Sequence, residues 1–540
     1  MKINSWRFWV CCAAVVVGTP LVGFILKIIG SYVPDQVGRL IRICLGLIAW
    51  VVIFRLIKRV ITNPSFFRRF VGGATPNSLA TIRIITCTIL LIMIILGIED
   101  ISSAALLPTE MRTPMGIMQF FYAIPGWESF ISSPTSLQAF EWLTALILFL
   151  GIIGWQTRIV IPLGAVCYLV LSGILHHYTR FYHQNLIPIY LIATLSLTPC
   201  GDGFSVDRFW KIYRGRTVPA ADKSSPIYGW SRYACWTVIA LSYFVAGLSK
   251  LRNGGLFWWE PINMRYHIYS SALASRPFDW NPVVHLHLIH APDILFALVG
   301  IVGCYGELAY GLVLFLKKAR RIVPPLIGMM HVGIFIFQKV LFLDLIILPL
   351  VFFDFTKIQR KIENKIIKII NPKNEPLNQI SVNLSINRIA RKRHQSLIAL
   401  LVATLLSCWL SLIEFYPFTA WGMFSNKNTS GEVIYDKFLV YYESGIIETA
   451  HPEKIIPALF TGGRYNGIIG KCLSDELQEV VMCEKFLNTL GSIHNQEIQS
   501  SEKLTAFEVQ LWKWDFINDA SNADHGNLEK RHVYEINTNN

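Results

Sequence analysis

The sequence predicts an all-α polytopic membrane domain of about eleven transmembrane helices, followed by a small C-terminal α/β domain on the extracytoplasmic side. Three observations predict it. Of 540 residues, 53% are hydrophobic and only 16% charged, where soluble globular chains carry roughly a quarter charged residues. Apolar runs of spanning length recur along most of the chain, with basic residues concentrated in alternate connections. Charge also divides along the chain: residues 416–540 hold 10 Lys+Arg against 17 Asp+Glu, and the rest holds 39 against 18. Such a composition excludes disordered, collagenous and disulfide-dense chains. Positive-inside topology accounts for the basic excess without a nucleic-acid partner.

A spanning helix needs about 20 mostly apolar residues. In order, the runs are Trp9–Ile28, Leu40–Ile57, Leu79–Leu96, Trp142–Trp155, Ile159–Leu175, Asn185–Leu197, Tyr233–Leu251, Ile294–Leu316, Ile322–Phe337, Leu341–Phe355 and Gln395–Phe415. The first is long for a cleaved signal peptide, and another apolar run follows it without a soluble domain between. With the N-terminus (Lys2, Arg7) in the cytoplasm, every second connection should be basic. Arg55, Lys58, Arg59, Arg68 and Arg69 follow the second run, and Arg208, Lys211, Arg214, Arg216 and Lys223 follow the sixth. Lys317, Lys318, Arg320 and Arg321 follow the eighth, and ten basic residues fall within 356–395 after the tenth. The connection 98–136, on the other side, has Glu99, Asp100, Glu110 and Glu128 against Arg112 alone. The expected plan is therefore two leading helices (1–60), a multi-helix core (75–355), a basic cytoplasmic linker (356–394), a final helix (395–415) and an extracytoplasmic domain (416–540).

In that last domain, Gly431–Tyr442 and Lys503–Phe516 alternate apolar and polar residues as half-buried strands do, and Ser474–Leu490 has helical spacing. The polar tail from Asn518 is expected to fray. Cys472 and Cys483 form a disulfide if their compartment is oxidising, a point the sequence leaves open. No C-x-x-C, zinc-ribbon spacing or H-E-x-x-H occurs, so no metal is predicted. A nucleophile elbow and the common phosphate-binding glycine loops are likewise missing.

Ionisable residues inside apolar runs are costly, which makes each a candidate for function. Lys250 follows Ala246 and Gly247, small residues that let another helix approach one turn before it. A lysine enclosed by apolar groups can lose its proton and act as a base. The competing reading has Lys250 and Arg252 snorkelling to the interface beside Trp258 and Trp259. Glu307 lies within an apolar run and must find a partner, and Asp344 is similar. Histidines gather on the outer side as His176, His177 and His183, and as His285, His287 and His290, with His267 and His331 apart. They suit metal ligation, acid/base work, quinone hydrogen bonding or plain interfacial packing.

The segment Tyr243-Phe-Val-Ala-Gly-Leu-Ser-Lys-Leu251 resembles the F-x-A-G-x-x-K-L stretch of the horizontally transferred transmembrane (HTTM) domain, the membrane domain shared with vitamin K-dependent γ-carboxylase. Pro76-Asn-Ser-Leu-Ala-Thr-Ile-Arg83 resembles that domain's opening helix, and Leu197-Thr-Pro-Cys-Gly-Asp-Gly-Phe-Ser-Val-Asp207 its S-P-C-G turn. Glu307 and His331 fall where its later helices carry a glutamate and a histidine. Over 75–355 the resemblance implies a carboxylase-like site in which Lys250 is the base that deprotonates reduced vitamin K or another quinone, with His183 and Glu307 beside it. Two positions depart from the pattern. Ser249 stands where the carboxylase has a second lysine, and the family's Asn-His motif reads Tyr182-His183-Gln184-Asn185. The domain 416–540 also lacks a counterpart to the carboxylase's large lumenal region, so quinone chemistry is a firmer expectation than protein carboxylation.

A second resemblance, in Ala246–Trp258, Tyr266-His267 and His285-Leu-His-Leu-Ile-His290, is to lipase maturation factor. It implies a non-catalytic maturation factor whose exported domain binds a protein client. Pro417-Phe-Thr-Ala-Trp-Gly-Met-Phe-Ser425 resembles the lead-in of small exported domains that follow bacterial membrane helices.

Overall fold

Helices account for most of the chain, and their ends are set by local signals in the sequence. The structure, a computed structural model, describes residues 18–20, 35–98, 100–178, 185–221, 223–275, 288–370, 379–380, 388–460, 468–498, 502–520 and 525–536. In chain order the principal helices are α1 (Asp35–Ile61), α2 (Pro76–Ile95), α3 (Pro134–Ile153), α4 (Thr157–Leu175), α5 (Leu186–Ser196), α6 (Val206–Tyr213), α7 (Pro226–Gly254) and α8 (Pro261–Leu273). They continue as α9 (Asp293–Leu314), which includes π and 3-10 turns, α10 (Ala319–Gln338), α11 (Leu343–Phe352), α12 (Thr356–Ile370) and α13 (Arg388–Ser411). α2, α3, α7 and α8 each begin with proline at the first helical position, where its missing N–H costs nothing. Thr75 and Ser133 cap α2 and α3 by accepting the backbone N–H of Ser78 and Ser136.

Among the described residues, eight helices are long and apolar enough to cross a membrane. Each overlaps one of the expected runs. α5 and α11, on two further runs, are apolar but shorter, and Trp9–Ile28 lies largely outside the described residues. The bundle is organised around α7, whose apolar window is 94% buried, whereas that of α1 is 6% buried. α7 packs against α5, α9 and α13, and α1 attaches to the rest mainly along α13. There Trp50 donates to Thr404 at 3.1 Å.

The stretch expected as a linker begins as a docked helix. α12 turns Gln359 and Glu363 inward, one turn apart, toward α2 and α6. Glu363 there meets the buried Arg208 at 2.7 Å, and an otherwise basic amphipathic segment is thereby fixed. Most of the linker after Ile370 lies outside the described residues.

The C-terminal domain contains α14 (Leu477–Glu497) and strands β1 (Glu432–Tyr442), β2 (Ile447–Thr449), β3 (Leu504–Asp515) and β4 (Asn527–Glu535). They form an antiparallel sheet in the order β2-β1-β3-β4. β4 corrects the expectation of a frayed tail: residues 527–535 pair with β3 from Lys513↔Asn527 to Ala506↔Glu535. Backbone pairing to a strand already in place outweighs the low apolar content of that stretch. Cys472 and Cys483 are disulfide-bonded, joining the turn before α14 to α14 itself. The sheet rests on α8: Tyr269 lies 5.4 Å from Trp514 and 5.3 Å from Phe516, and Ser275 N–H donates to the Asp436 carbonyl at 3.1 Å.

Candidate functional site

Helix α7 brings Lys250 to α9 because Gly247 removes the obstacle between them. A β-carbon at Gly247 would sit 2.8 Å from Leu308 Cγ, 2.9 Å from Leu308 N and 3.1 Å from the Cys304 carbonyl oxygen. With hydrogen there instead, α9 comes close enough for Glu307 to reach the lysine. Lys250 Nζ lies 2.5 Å from Glu307 Oε2, and both side chains are under 10% exposed. The expected small-residue approach and the partner that Glu307 required are thus one contact. Lys250 does not snorkel: it is buried, with its ammonium 5.4 Å from the centre of the Trp258 ring. Arg252 is also turned inward, donating to the Trp409 carbonyl at 2.5 Å.

Aromatic and polar groups extend this pair into a cluster. Tyr243, two turns before Lys250 on α7, stacks on Tyr310 at 4.4 Å, one turn beyond Glu307 on α9. The Tyr243 hydroxyl and His331 Nε2 of α10 are 3.1 Å apart, and the His331 ring meets Phe342 edge-on at 5.6 Å. Asp344, at the start of α11, is 2% exposed. Among the described residues, three buried polar atoms here, the Tyr310 hydroxyl, His331 Nδ1 and Asp344 Oδ2, have no hydrogen-bond partner. Buried polar atoms are nearly always paired, so three orphans on neighbouring helices leave bonds here that a ligand can fill. Among the described residues, no group of His, Cys, Asp and Glu side chains is arranged to hold a metal ion.

On the other side of Lys250, the segment 412–428 runs from the end of α13 across the bundle toward β1. Gly116 (φ +57°) lets it pass, since a β-carbon there would lie 2.2 Å from the Tyr416 backbone. Ile117 N–H donates to the Tyr416 carbonyl at 2.9 Å, and the Tyr416 hydroxyl to the Leu169 carbonyl at 2.6 Å. Ser249 Oγ donates to the Ala420 carbonyl at 2.9 Å and Asn253 Nδ2 to Ser425 Oγ at 2.6 Å. Phe424 meets His267 edge-on at 5.8 Å, and His267 stacks at 5.7 Å on Trp258, the ring that faces Lys250. Burial pushes His267 down to about 4, so this ring is neutral at ordinary pH. The exported-domain lead-in read in Pro417–Ser425 is therefore also part of the wall around Lys250. Sequence spacing offers no sign of that contact.

Of the three expected site residues, Lys250 and Glu307 meet, whereas His183 lies outside the described residues, as do His285 and His287. His176 and His177 belong to another region. His176 Nδ1 lies 2.7 Å from the Ser172 carbonyl, and His177 Nδ1 3.4 Å from the Tyr122 hydroxyl. The residues that spacing left apart are Tyr243, Tyr310 and Trp258. Tyr243 at seven residues before Lys250 and Tyr310 at three after Glu307 share faces with them, a signal the sequence does contain. No family model, curated protein or solved structure matches this chain.

Proposed function

We propose that this chain is an HTTM-type, carboxylase-like membrane enzyme that removes a proton from a lipid-soluble quinol, with Lys250 as the base. The observation that carries the reading is the buried Lys250–Glu307 pair at 2.5 Å beside three unpartnered polar atoms. Two opposite charges in apolar surroundings pay a desolvation cost that passing one proton from ammonium to carboxylate removes. The resulting neutral amine is a base, and Glu307 stores the displaced proton. The residues fit a flat, oxygen-bearing ring: Tyr243, Tyr310, Trp258 and Phe342 supply aromatic faces. His331 and the Tyr310 hydroxyl supply hydrogen-bonding groups for ring oxygens. A bound quinol supplies a weakly acidic hydroxyl and, once deprotonated, reactivity toward oxygen. Eleven spans, a cytoplasmic N-terminus and an extracytoplasmic 416–540 domain belong to the same reading. The alternating basic connections and the Cys472–Cys483 disulfide support that orientation.

A second reading, a maturation factor without catalysis, is favoured by one observation. Among the described residues β4 pairs with β3 alone, presenting an outer edge with Leu528 and Val533 more than 40% exposed, as a client-binding strand would. The two separate in one assay. Detergent-purified protein is given a reduced naphthoquinone and oxygen, and epoxide is followed by chromatography. Wild type is expected to form epoxide, and Lys250→Ala and Lys250→Arg are expected to form none, because arginine keeps its proton. Absence of epoxide across several quinones, with Lys250→Arg retaining the cellular role, would leave the maturation reading.

A further inference from the structure

The opposite end of α7 from Lys250 borders a polar cavity of about 700 Å³ between the start of α4, the end of α5, α6 and the start of α13. Ile227 of α7 lines it. The 23 residues from Ile227 to Lys250 place it about 35 Å along that helix from the proposed quinol site. Three of its lining side chains are cationic: Arg158, Lys211 and Arg393. Its two carboxylates are already engaged. Asp207 Oδ1 accepts Gln156 N–H at 2.7 Å, and its Oδ2 accepts both Thr157 N–H and Thr157 Oγ1–H at 2.8 Å. The N-terminal end of α4 is therefore filled from within the protein. Asp202 Oδ2 accepts the Tyr228 hydroxyl at 2.9 Å. The cations are more accessible: Arg158 and Arg393 are exposed and Lys211 is half-buried. A cavity with three cations and two committed carboxylates is built for an anion.

Its wall also leads into the apolar surface. Ile159 lines the cavity and is 62% exposed, and it begins a row on α4 with Leu163 (45%) and Val166 (57%). Steps of four and three residues keep that row on one face of the helix. A cationic pocket running directly into an apolar strip has the shape of an amphiphile, head in the pocket and chain along the helix.

We propose that this cavity binds a phosphate group, carried by an anionic phospholipid whose headgroup meets Arg158 and Lys211 and whose acyl chain lies along Ile159, Leu163 and Val166. Basic pockets between membrane helices are known hosts for such headgroups. A free phosphate shares the head chemistry but not the chain, and the test separates them.

The full chain in dodecyl maltoside is titrated with phosphatidylglycerol, phosphatidylcholine or inorganic phosphate while its thermal unfolding midpoint is followed. Phosphatidylglycerol is expected to raise the midpoint saturably, with phosphatidylcholine and phosphate far weaker. In Arg158→Gln/Lys211→Gln the concentration giving half the shift should rise about tenfold or more. The control Lys361→Gln/Lys365→Gln, on the exposed face of α12, should leave it unchanged. A phosphate response matching phosphatidylglycerol, and lost in the first variant, keeps the anion site and assigns it to a soluble phosphate. Equal shifts from both lipids, equal loss in both double variants, or no shift from any probe overturns the proposal. None of these readouts depends on quinol chemistry.

Discussion

Two buried ion pairs sit near opposite ends of the bundle, and they are built differently. Arg208 meets Glu363 at 2.7 Å and also donates to the carbonyls of Asp202 at 3.1 Å and Pro219 at 2.5 Å. Glu363 accepts a second bond from Asn77 Nδ2 at 3.3 Å, and Asn77 Oδ1 accepts the Phe204 N–H at 2.9 Å. Four separate segments are tied through that one guanidinium. Lys250 meets a single carboxylate oxygen and one aromatic face, with orphaned polar atoms nearby. Arginine keeps its proton in proteins, and three of its contacts are committed through Nε and Nη1, although Arg208 Nη2 has no partner among the described residues. Lysine can give its proton up. The difference teaches that burial of charge alone does not mark a functional site; a cation able to release its proton, beside several unmade hydrogen bonds, does.

The largest expected effect tests the Arg208–Glu363 pair. Arg208→Ala should lower stability by about 3–5 kcal/mol, because Glu363 is left as an uncompensated buried charge and two carbonyls lose their donor. Denaturant unfolding in detergent measures it. Lysine at 208 should not restore stability, since its single nitrogen cannot occupy both positions from which Arg208 Nε and Nη1 donate. A loss within the error of the measurement would show that α12 is not held as described.

A smaller effect separates the pairs directly. Replacing a buried ion pair by apolar residues of similar volume is often neutral in stability. Lys250→Met/Glu307→Leu should therefore unfold within about 1 kcal/mol of wild type while losing epoxide formation altogether. Arg208→Met/Glu363→Leu should remain clearly destabilised, because the Asp202 and Pro219 carbonyls and Asn77 keep their unmet bonds. Comparable destabilisation in the two double variants would erase the distinction.

The sequence discloses these pairs unequally, for a physical reason. Lys250 and Glu307 stand out because each interrupts an apolar run, and Gly247 marks the helix contact that joins them. Arg208 and Glu363 fall in polar connections, where charge is ordinary, so nothing in their spacing tells that both are 3% exposed or less. Helix positions follow composition closely, as Pro76, Pro134 and Pro226 at first helical turns show. β4 was hidden because its residues alternate weakly, and its pairing is supplied by β3 rather than by itself. The passage of 412–428 past Lys250 depends on tertiary closeness, which Gly116 permits but does not announce.

The smallest expected effect concerns that passage and its pH dependence. His267 packs between Trp258 and Phe424, and its Nε2 lies 3.3 Å from the Asn426 carbonyl. Burial holds it near 4 in the folded chain, against about 6.5 when unfolded. Between those values the unfolded chain binds the extra proton, so stability falls as pH drops from about 6.5 toward 4. Lys250, whose charge also opposes protonation of this ring, adds in the same sense. Glu414, at the start of the same segment, is pushed upward by burial. Its contribution runs the other way, since protonating it on acidification relieves a buried charge. The measurement is therefore a difference: thermal midpoints of wild type and His267→Gln across pH 4.5–7.5. Wild type should lose about 1–3 kcal/mol more than the variant over that interval. Parallel curves would mean that the ring roofing Lys250 takes up its proton as readily in the folded chain as in the unfolded one, and that the segment closes over the lysine equally well when His267 is charged.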